Sequence, residues 1–141
     1  FITHTHNDHI ADIDRLRGVV ADPDNIYSNR AEPLANTTKF REGATLSIGN
    51  LTVKTFTTSG HSVGGTTFFI QGLATPIAVV GDAIFAGSMG GGFVSFTDAL
   101  KHNRRKILTF PEETILCPGH GPMSTVGEEQ QNNPFYAKHF K

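Results

Sequence analysis

Ionisable side chains are concentrated at the start of the chain, where the sequence FITHTHNDHI places two kinds of potential metal ligand within six residues. Three interpretations compete: a histidine tract like a tag, a helix start that happens to be polar, and a set of metal ligands. At the frequencies of histidine and aspartate in this chain, the pattern would arise by chance in roughly one chain in a thousand, so chance is a weak explanation. Imidazole and carboxylate groups are common ligands of divalent metal ions. The residues are His4, His6, Asp8 and His9.

The spacing of these residues favours a metal site with two ions. An apolar, β-prone run precedes His4, and on an extended segment His4 and His6 point the same way and can share one ion. Residues 8–16 carry apolar side chains at helical spacing, which predicts a helix. Asp8 and His9 therefore lie at a strand-to-helix turn and approach from another direction. Because a tetrahedral site needs ligands from converging elements, the pattern favours two adjacent ions over one.

Three further candidate ligands each follow an apolar strand and lie in a loop that contains glycine, a residue that allows backbone turns which others resist. Each of them alone is more simply a loop histidine or a cap of the next segment. Together with the opening pattern, they favour a metal site. The candidates are His61 after a strand predicted at 51–58, Asp82 after 77–80 and His120 after 114–117.

The other two histidines lack this setting. His102 lies on a helix predicted at 97–108, beside two arginines, and His139 lies near the end of the chain. We predict that both are solvated surface residues. A last helix is predicted near Gly127 from a capping-box spacing, with residues 128–131 as its solvated face.

Composition limits the remaining possibilities. A chain of 141 residues is long enough for one domain with a real core, and we predict a single domain spanning residues 1–141. Its 12 basic and 13 acidic residues nearly cancel, so we predict neither a nucleic-acid partner nor a membrane partner. The single cysteine, Cys117, excludes a disulfide and a Cys-rich zinc module within these residues, and we predict a buried strand residue rather than a nucleophile. We expect a cytoplasmic location and a small-molecule substrate.

Four motifs in order along the chain resemble those of the metallo-β-lactamase superfamily: THTHNDH at 3–9, GHS at 60–62, GD at 81–82 and PGHGP at 118–122. Within that superfamily the chain is most similar to the glyoxalase II-like hydrolases, whose helical extension is not among these residues. The resemblance implies an α+β fold, an αββα sandwich of two mixed sheets flanked by helices, with metal ions at one sheet edge. It assigns His4, His6 and His61 to a first ion and Asp8, His9 and His120 to a second, with Asp82 as the bridge and with Asp8 and Asp82 as catalytic residues.

The early strands of the first sheet are not among these residues, so we expect the domain to be partial. A ligand-bearing strand at a bare terminus would be poorly held. We therefore expect upstream residues, a cleaved segment or a second chain to complete the fold and to cover residues 1–3.

The favoured function is a dinuclear metal-dependent hydrolase of a small thioester, ester or lactone, similar to hydroxyacylglutathione hydrolase. Two cations ~3.5 to 4 Å apart lower the pKa of a shared water toward ~7, which gives a hydroxide that attacks a carbonyl carbon. The ions are divalent; zinc is favoured, and iron or manganese would also fit a ligand set without thiolate. Where antibiotic-destroying dinuclear lactamases usually carry a cysteine, this chain has Asp82, which argues against that branch.

Two alternatives stay open. One is a mononuclear iron persulfide dioxygenase that uses His4, His61 and Asp82, and the other is a non-catalytic metal-binding module. Glutathione as part of the substrate is in doubt, because the position of a basic residue that helps to hold it in glyoxalase II falls in a glycine run at 90–92. We interpret that run as a flexible rim loop rather than an anion-binding nest.

Overall fold

A computed structural model describes residues 1–141, apart from the side chain of Pro23. Three turns of 3-10 helix lie at Pro23–Asn25, Ile107–Thr109 and Ala137–His139. The helices are α1 (Asn7–Ile10), α2 (Ile13–Val19), α3 (Phe96–Arg105) and α4 (Val126–Asn132), and the strands are β1 (Tyr27–Asn29), β2 (Thr38–Phe40), β3 (Thr45–Ile48), β4 (Leu51–Thr57), β5 (Thr66–Gln71), β6 (Ile77–Gly81), β7 (Ile115–Pro118) and β8 (Ser124–Thr125).

The strands form two sheets. β1 and β2 pair in parallel, and the other six strands form a mixed sheet in the order β3-β4-β5-β6-β7-β8. Within the large sheet only β6 and β7 are parallel, and the connection between them contains α3. Because parallel strands run in the same direction, the carboxyl ends of β6 and β7 meet at one edge, where Gly81 pairs with Pro118. The residues that follow these two strands are thereby brought side by side.

The alternation of side chains along β5 shows how the two sheets and the helices are layered. Phe69 belongs to a core shared with Leu108 and Val126 on the helical side of the large sheet. Phe68 points to the opposite face and packs with Phe40 of β2, so the small sheet covers that face. The resulting order is small sheet, large sheet and helices, which confirms the predicted α+β class with two packed sheets.

The opening segment runs beside the small sheet. Ile2 forms a parallel bridge with Ser28, and its N–H donates to the carbonyl of Tyr27 over 2.8 Å. The ring of Phe1 stacks on Tyr27 with 5.4 Å between the centroids. These contacts fix the start of the segment that carries the first predicted ligands.

The helix predicted near Gly127 is α4, and its capping box is confirmed: Thr125 accepts from the N–H of Glu128, whose carboxylate accepts from the N–H of Thr125. The prediction that residues 128–131 form a solvated face is wrong at Glu129. That carboxylate is buried and accepts hydrogen bonds from the N–H of Gly87 and the amide of Asn133. Among the described residues, no helix is both long enough and apolar enough to cross a membrane.

Candidate metal centre

The seven predicted ligands come from four segments that meet at one edge of the large sheet. The opening segment leads into α1, and its ligands lie just before and on that short helix. Loops after β4, β6 and β7 supply the rest. The first segment carries His4, His6, Asp8 and His9, and the loops carry His61, Asp82 and His120 in that order.

The first cluster consists of His4, His6 and His61. Their ring centroids lie 4.6 to 5.1 Å from one another, and one potential ligand atom of each lies within 4.8 Å of those of the other two. His4 is only 1% exposed, and His61 is also buried. Three imidazoles therefore converge in a largely buried position.

The second cluster consists of Asp8, His9 and His120. Nε2 of His120 lies 2.9 Å from Oδ2 of Asp8, and Nε2 of His9 lies 3.4 Å from the same oxygen. The side chains of Asp8 and His120 are 58% and 56% exposed, so this cluster faces the solvent. The centre thus has a buried half and an open half.

Asp82 lies between the two clusters. Its Oδ2 is 3.8 Å from Nε2 of His4 and 3.4 Å from Nε2 of His61, both in the first cluster. The same oxygen is 3.1 Å from Nε2 of His9 and 3.5 Å from Nε2 of His120, both in the second. A single buried carboxylate oxygen therefore faces both clusters, which is the arrangement that a bridging ligand requires.

Buried polar atoms of the centre that have no hydrogen-bond partner indicate that its side chains bind an additional group. Among the described residues, Nε2 of His4, Nε2 of His61 and Oδ1 of Asp82 are buried and have no hydrogen-bond partner. Such atoms cost folding free energy unless something satisfies them. A metal ion would do so, since all three are lone-pair donors of the kind that zinc and iron bind. The donor set therefore fits a metal ion.

Protonation states agree with this fit. Nδ1 of His61 lies 2.8 Å from the carbonyl oxygen of Gly91, which can only accept, so Nδ1 carries the proton and Nε2 keeps its lone pair. Burial, and then the positive charge that His9 would carry, lowers the pKa of His4 to about 4. His4 is therefore neutral at pH 7, the form that binds a metal.

Two glycines make the close approach of these groups possible. A Cβ at Gly119 would lie less than 3.0 Å from Oδ1 of Asp82 and from Cε1 of His9, and real Cβ atoms do not approach so closely. A Cβ at Gly90 would overlap the carbonyl oxygen of Asp82 in the same way. Together with the bond from His61 to Gly91, this shows that the run at 90–92 is a wall of the centre. The run therefore borders the centre, as a rim loop does, and its flexibility stays a prediction.

The prediction that His102 is a solvated surface residue is also wrong. Its ring is half-buried, and Nδ1 donates to the carbonyl of Ser59 over 2.9 Å, two residues before His61. His139 is exposed, as predicted, and its ring contacts Arg104. Cys117 lies on β7, as predicted for a strand residue, but it is half-buried rather than fully buried.

The fold and the ordered ligand motifs define a class: the chain belongs to the metallo-β-lactamase superfamily. In the crystal structure of the BLEG-1 B3 metallo-beta-lactamase, the matched chain is 31% identical with a TM-score of 0.79, and the match covers 94% of this chain and 74% of that one. The crystal structure of TTHA1623 in a di-iron-bound form matches with a TM-score of 0.75 and 26% identity over the same shares. No protein-family model matches the sequence.

Curated relatives of the chain include proteins named as metallo-hydrolases. The probable metallo-hydrolase YqgX of Bacillus subtilis is 29% identical over 161 residues, which cover 95% of this chain and 73% of that protein. The hydroxyacylglutathione hydrolase of Pseudomonas putida is 28% identical over 84% of this chain, and the match spans 46% of that enzyme. The glyoxalase II-like similarity is thereby confirmed, for a chain that spans less than half of the hydroxyacylglutathione hydrolase it matches.

Proposed function

We propose that the chain is the metal-binding domain of a dinuclear hydrolase that acts on a small thioester, ester or lactone. The observation that carries the proposal is Oδ2 of Asp82, which lies within 3.8 Å of two imidazoles of each cluster. The first cluster would hold one divalent ion, the second cluster another, and Asp82 would bridge them. Zinc is the favoured metal, and the di-iron form of TTHA1623 supports iron as a possible occupant of such a pair.

Bound ions of this kind supply an activated water at neutral pH and stabilise negative charge on a carbonyl oxygen. The protein's own part is to hold the ligands and to handle the proton. Asp82 is buried and offsets the repulsion between two cations. Desolvation would raise the pKa of Asp8, but its own backbone N–H and the imidazoles of His9 and His120 lower it, so this exposed carboxylate is ionised at pH 7. We assign Asp8 the role of accepting the proton that the water loses.

The walls around the centre favour an apolar acyl group. The ring of Phe93 is 78% exposed, and its centroid lies 5.2 Å from that of His61 and 6.2 Å from that of His6. The ring of Phe85 lies 6.1 Å from that of His120 on the other side. An uncharged acyl chain next to the scissile carbonyl would cover these rings. We therefore propose that thioesters or esters with apolar acyl groups are better substrates than glutathione thioesters.

Replacing Phe93 by alanine should raise KM for such substrates by about tenfold and leave kcat nearly unchanged, because the ring contributes contact area to the acyl chain in ground and transition states alike. Steady-state kinetics with acyl thioesters of increasing chain length measure the effect. Phe140→Ala, which removes another partly exposed ring, serves as the matched control. A fall in kcat with unchanged KM would contradict this role for Phe93.

One observation favours a second candidate. Among the seven predicted ligands, the buried atoms that lack hydrogen-bond partners belong to His4, His61 and Asp82, the same subset that a mononuclear iron persulfide dioxygenase would use. In that case the open cluster would hold no ion.

Metal analysis combined with a substrate panel separates the candidates. The hydrolase should carry two equivalents of metal and cleave thioesters or lactones in a panel that also contains a phosphodiester and a β-lactam. One equivalent of iron with oxygen consumption on a persulfide would establish the dioxygenase instead. Metal binding without turnover on any of these would leave the non-catalytic module.

A further inference from the structure

Glu32 connects two of the segments that carry the first cluster. It lies three residues after β1 and is only 5% exposed. Its Oε2 accepts from the N–H of Thr5 over 3.1 Å and also from the hydroxyl of Thr5. Its Oε1 accepts from the N–H of Gly64 over 2.8 Å. Thr5 stands between His4 and His6, and Gly64 lies three residues after His61.

The carboxylate is ionised despite its burial. Burial would raise the pKa of Glu32, but the hydrogen bonds from the hydroxyl and N–H of Thr5 and from the N–H of Gly64 outweigh that effect and lower it below its usual value. Among the described residues, no Lys, Arg or His side chain pairs with it within 4.0 Å. A buried anion held only by hydrogen bonds is costly, and every bond it accepts comes from a ligand-bearing segment.

We propose that Glu32 is a positioning residue for the first metal position. By holding Thr5 and Gly64 together, it fixes the distance between the segment of His4 and His6 and the loop of His61. Metal ligands must be held within about 0.5 Å of their productive geometry, and loss of an outer-shell partner weakens metal binding by about 10- to 100-fold. The second cluster takes no ligand from the loop of His61, which is the loop that Glu32 ties to Thr5, so the larger effect of Glu32 falls on the first position.

The inference rests on the proposed function for the assignment of the first cluster to an ion. Its test uses two single-site backgrounds. His120→Ala leaves the first cluster intact, and His61→Ala leaves the second. In each background the affinity for Zn²⁺ is measured by competition with a chromophoric chelator. If neither background binds Zn²⁺, the proposed function fails together with the inference; if both bind, the effect of Glu32 is measured on its own.

Glu32→Gln retains the size of the side chain but turns an amide N–H either toward the N–H of Gly64 or toward the N–H and hydroxyl of Thr5. Zn²⁺ affinity should fall about 10- to 100-fold in the His120→Ala background and stay within about twofold in the His61→Ala background. Thr5→Val removes only the hydrogen bond from the hydroxyl of Thr5, so it should give a smaller loss of Zn²⁺ affinity in the His120→Ala background. If Glu32→Gln does not fold, Thr5→Val alone tests the inference.

Glu129→Gln is the matched control, because Glu129 is also a buried glutamate that accepts from a loop N–H. This variant should unfold at a lower urea concentration and keep its Zn²⁺ affinity in both backgrounds. Unchanged affinity for Glu32→Gln and Thr5→Val would overturn the inference. The inference would also be overturned if Glu32→Gln lost Zn²⁺ affinity equally in both backgrounds and Glu129→Gln showed the same loss. Such a result would mean that either substitution loosens the fold as a whole.

Discussion

Replacing Asp82 by asparagine should release both metal ions and lower hydrolysis by about three powers of ten or more. The carboxylate oxygen that faces both clusters would become part of a neutral amide, and the negative charge that offsets the repulsion between two cations would be lost. Metal content after dialysis and turnover of a thioester measure the two effects. A variant that keeps two equivalents of metal and near-normal turnover would exclude Asp82 as the bridge.

Two histidine variants provide the comparison. His120→Ala should empty mainly the second position, because this imidazole belongs to the open cluster. His139→Ala should leave both metal content and rate nearly unchanged, since that ring is exposed and contacts Arg104. His102 is unsuitable as a control, because it donates to the carbonyl of Ser59, close to His61. If His139→Ala were as damaging as His120→Ala, the assignment of the centre would be wrong.

Replacing Gly119 by alanine should lower turnover about 100-fold, although it adds only one methyl group. That methyl would overlap Oδ1 of Asp82 and the ring of His9, so the bridge and one ligand of the second cluster would both have to move. Ligand displacements of about 1 Å are enough to cost about 100-fold in rate. Metal content and turnover should therefore fall while the circular dichroism spectrum keeps its native shape.

Gly18→Ala is the control for this substitution. Gly18 lies within α2, and a Cβ there would meet no atom within 4 Å. The change should stabilise the helix slightly and leave metal content intact. Wild-type metal content in Gly119→Ala would show that the loop after β7 is free to move, contrary to the close packing described above.

Much of the centre could be predicted from the sequence because local sequence patterns mark the positions of its ligands. Short apolar strands followed by glycine-containing loops are visible as patterns, and β4, β6 and β7 lie within one residue of their predicted bounds. The clustering of His61, Asp82 and His120 then depends on the carboxyl ends of strands meeting at one edge, as β6 and β7 do. The assignment of the ligands to two ions could not be read from composition, and the resemblance to a known superfamily supplied it.

What the sequence could not reveal depends on contacts between distant segments. β2 and β8 have three and two residues, too short for a period to appear, and each is defined by pairing with a partner strand. The sequence predicts Glu129 on a solvated face because glutamate is rarely buried, and for Glu32 as for Glu129 only tertiary contact shows the loop N–H groups from which the carboxylates accept hydrogen bonds. Nothing local marks either carboxylate as buried.

Anomalous diffraction from crystals of the zinc-loaded protein tests the central claim most directly. We expect two peaks about 3.5 to 4 Å apart, with Asp82 bonded to both, His4, His6 and His61 around one, and Asp8, His9 and His120 around the other. A single peak bound by His4, His61 and Asp82, with the second cluster free of metal, would contradict the central claim.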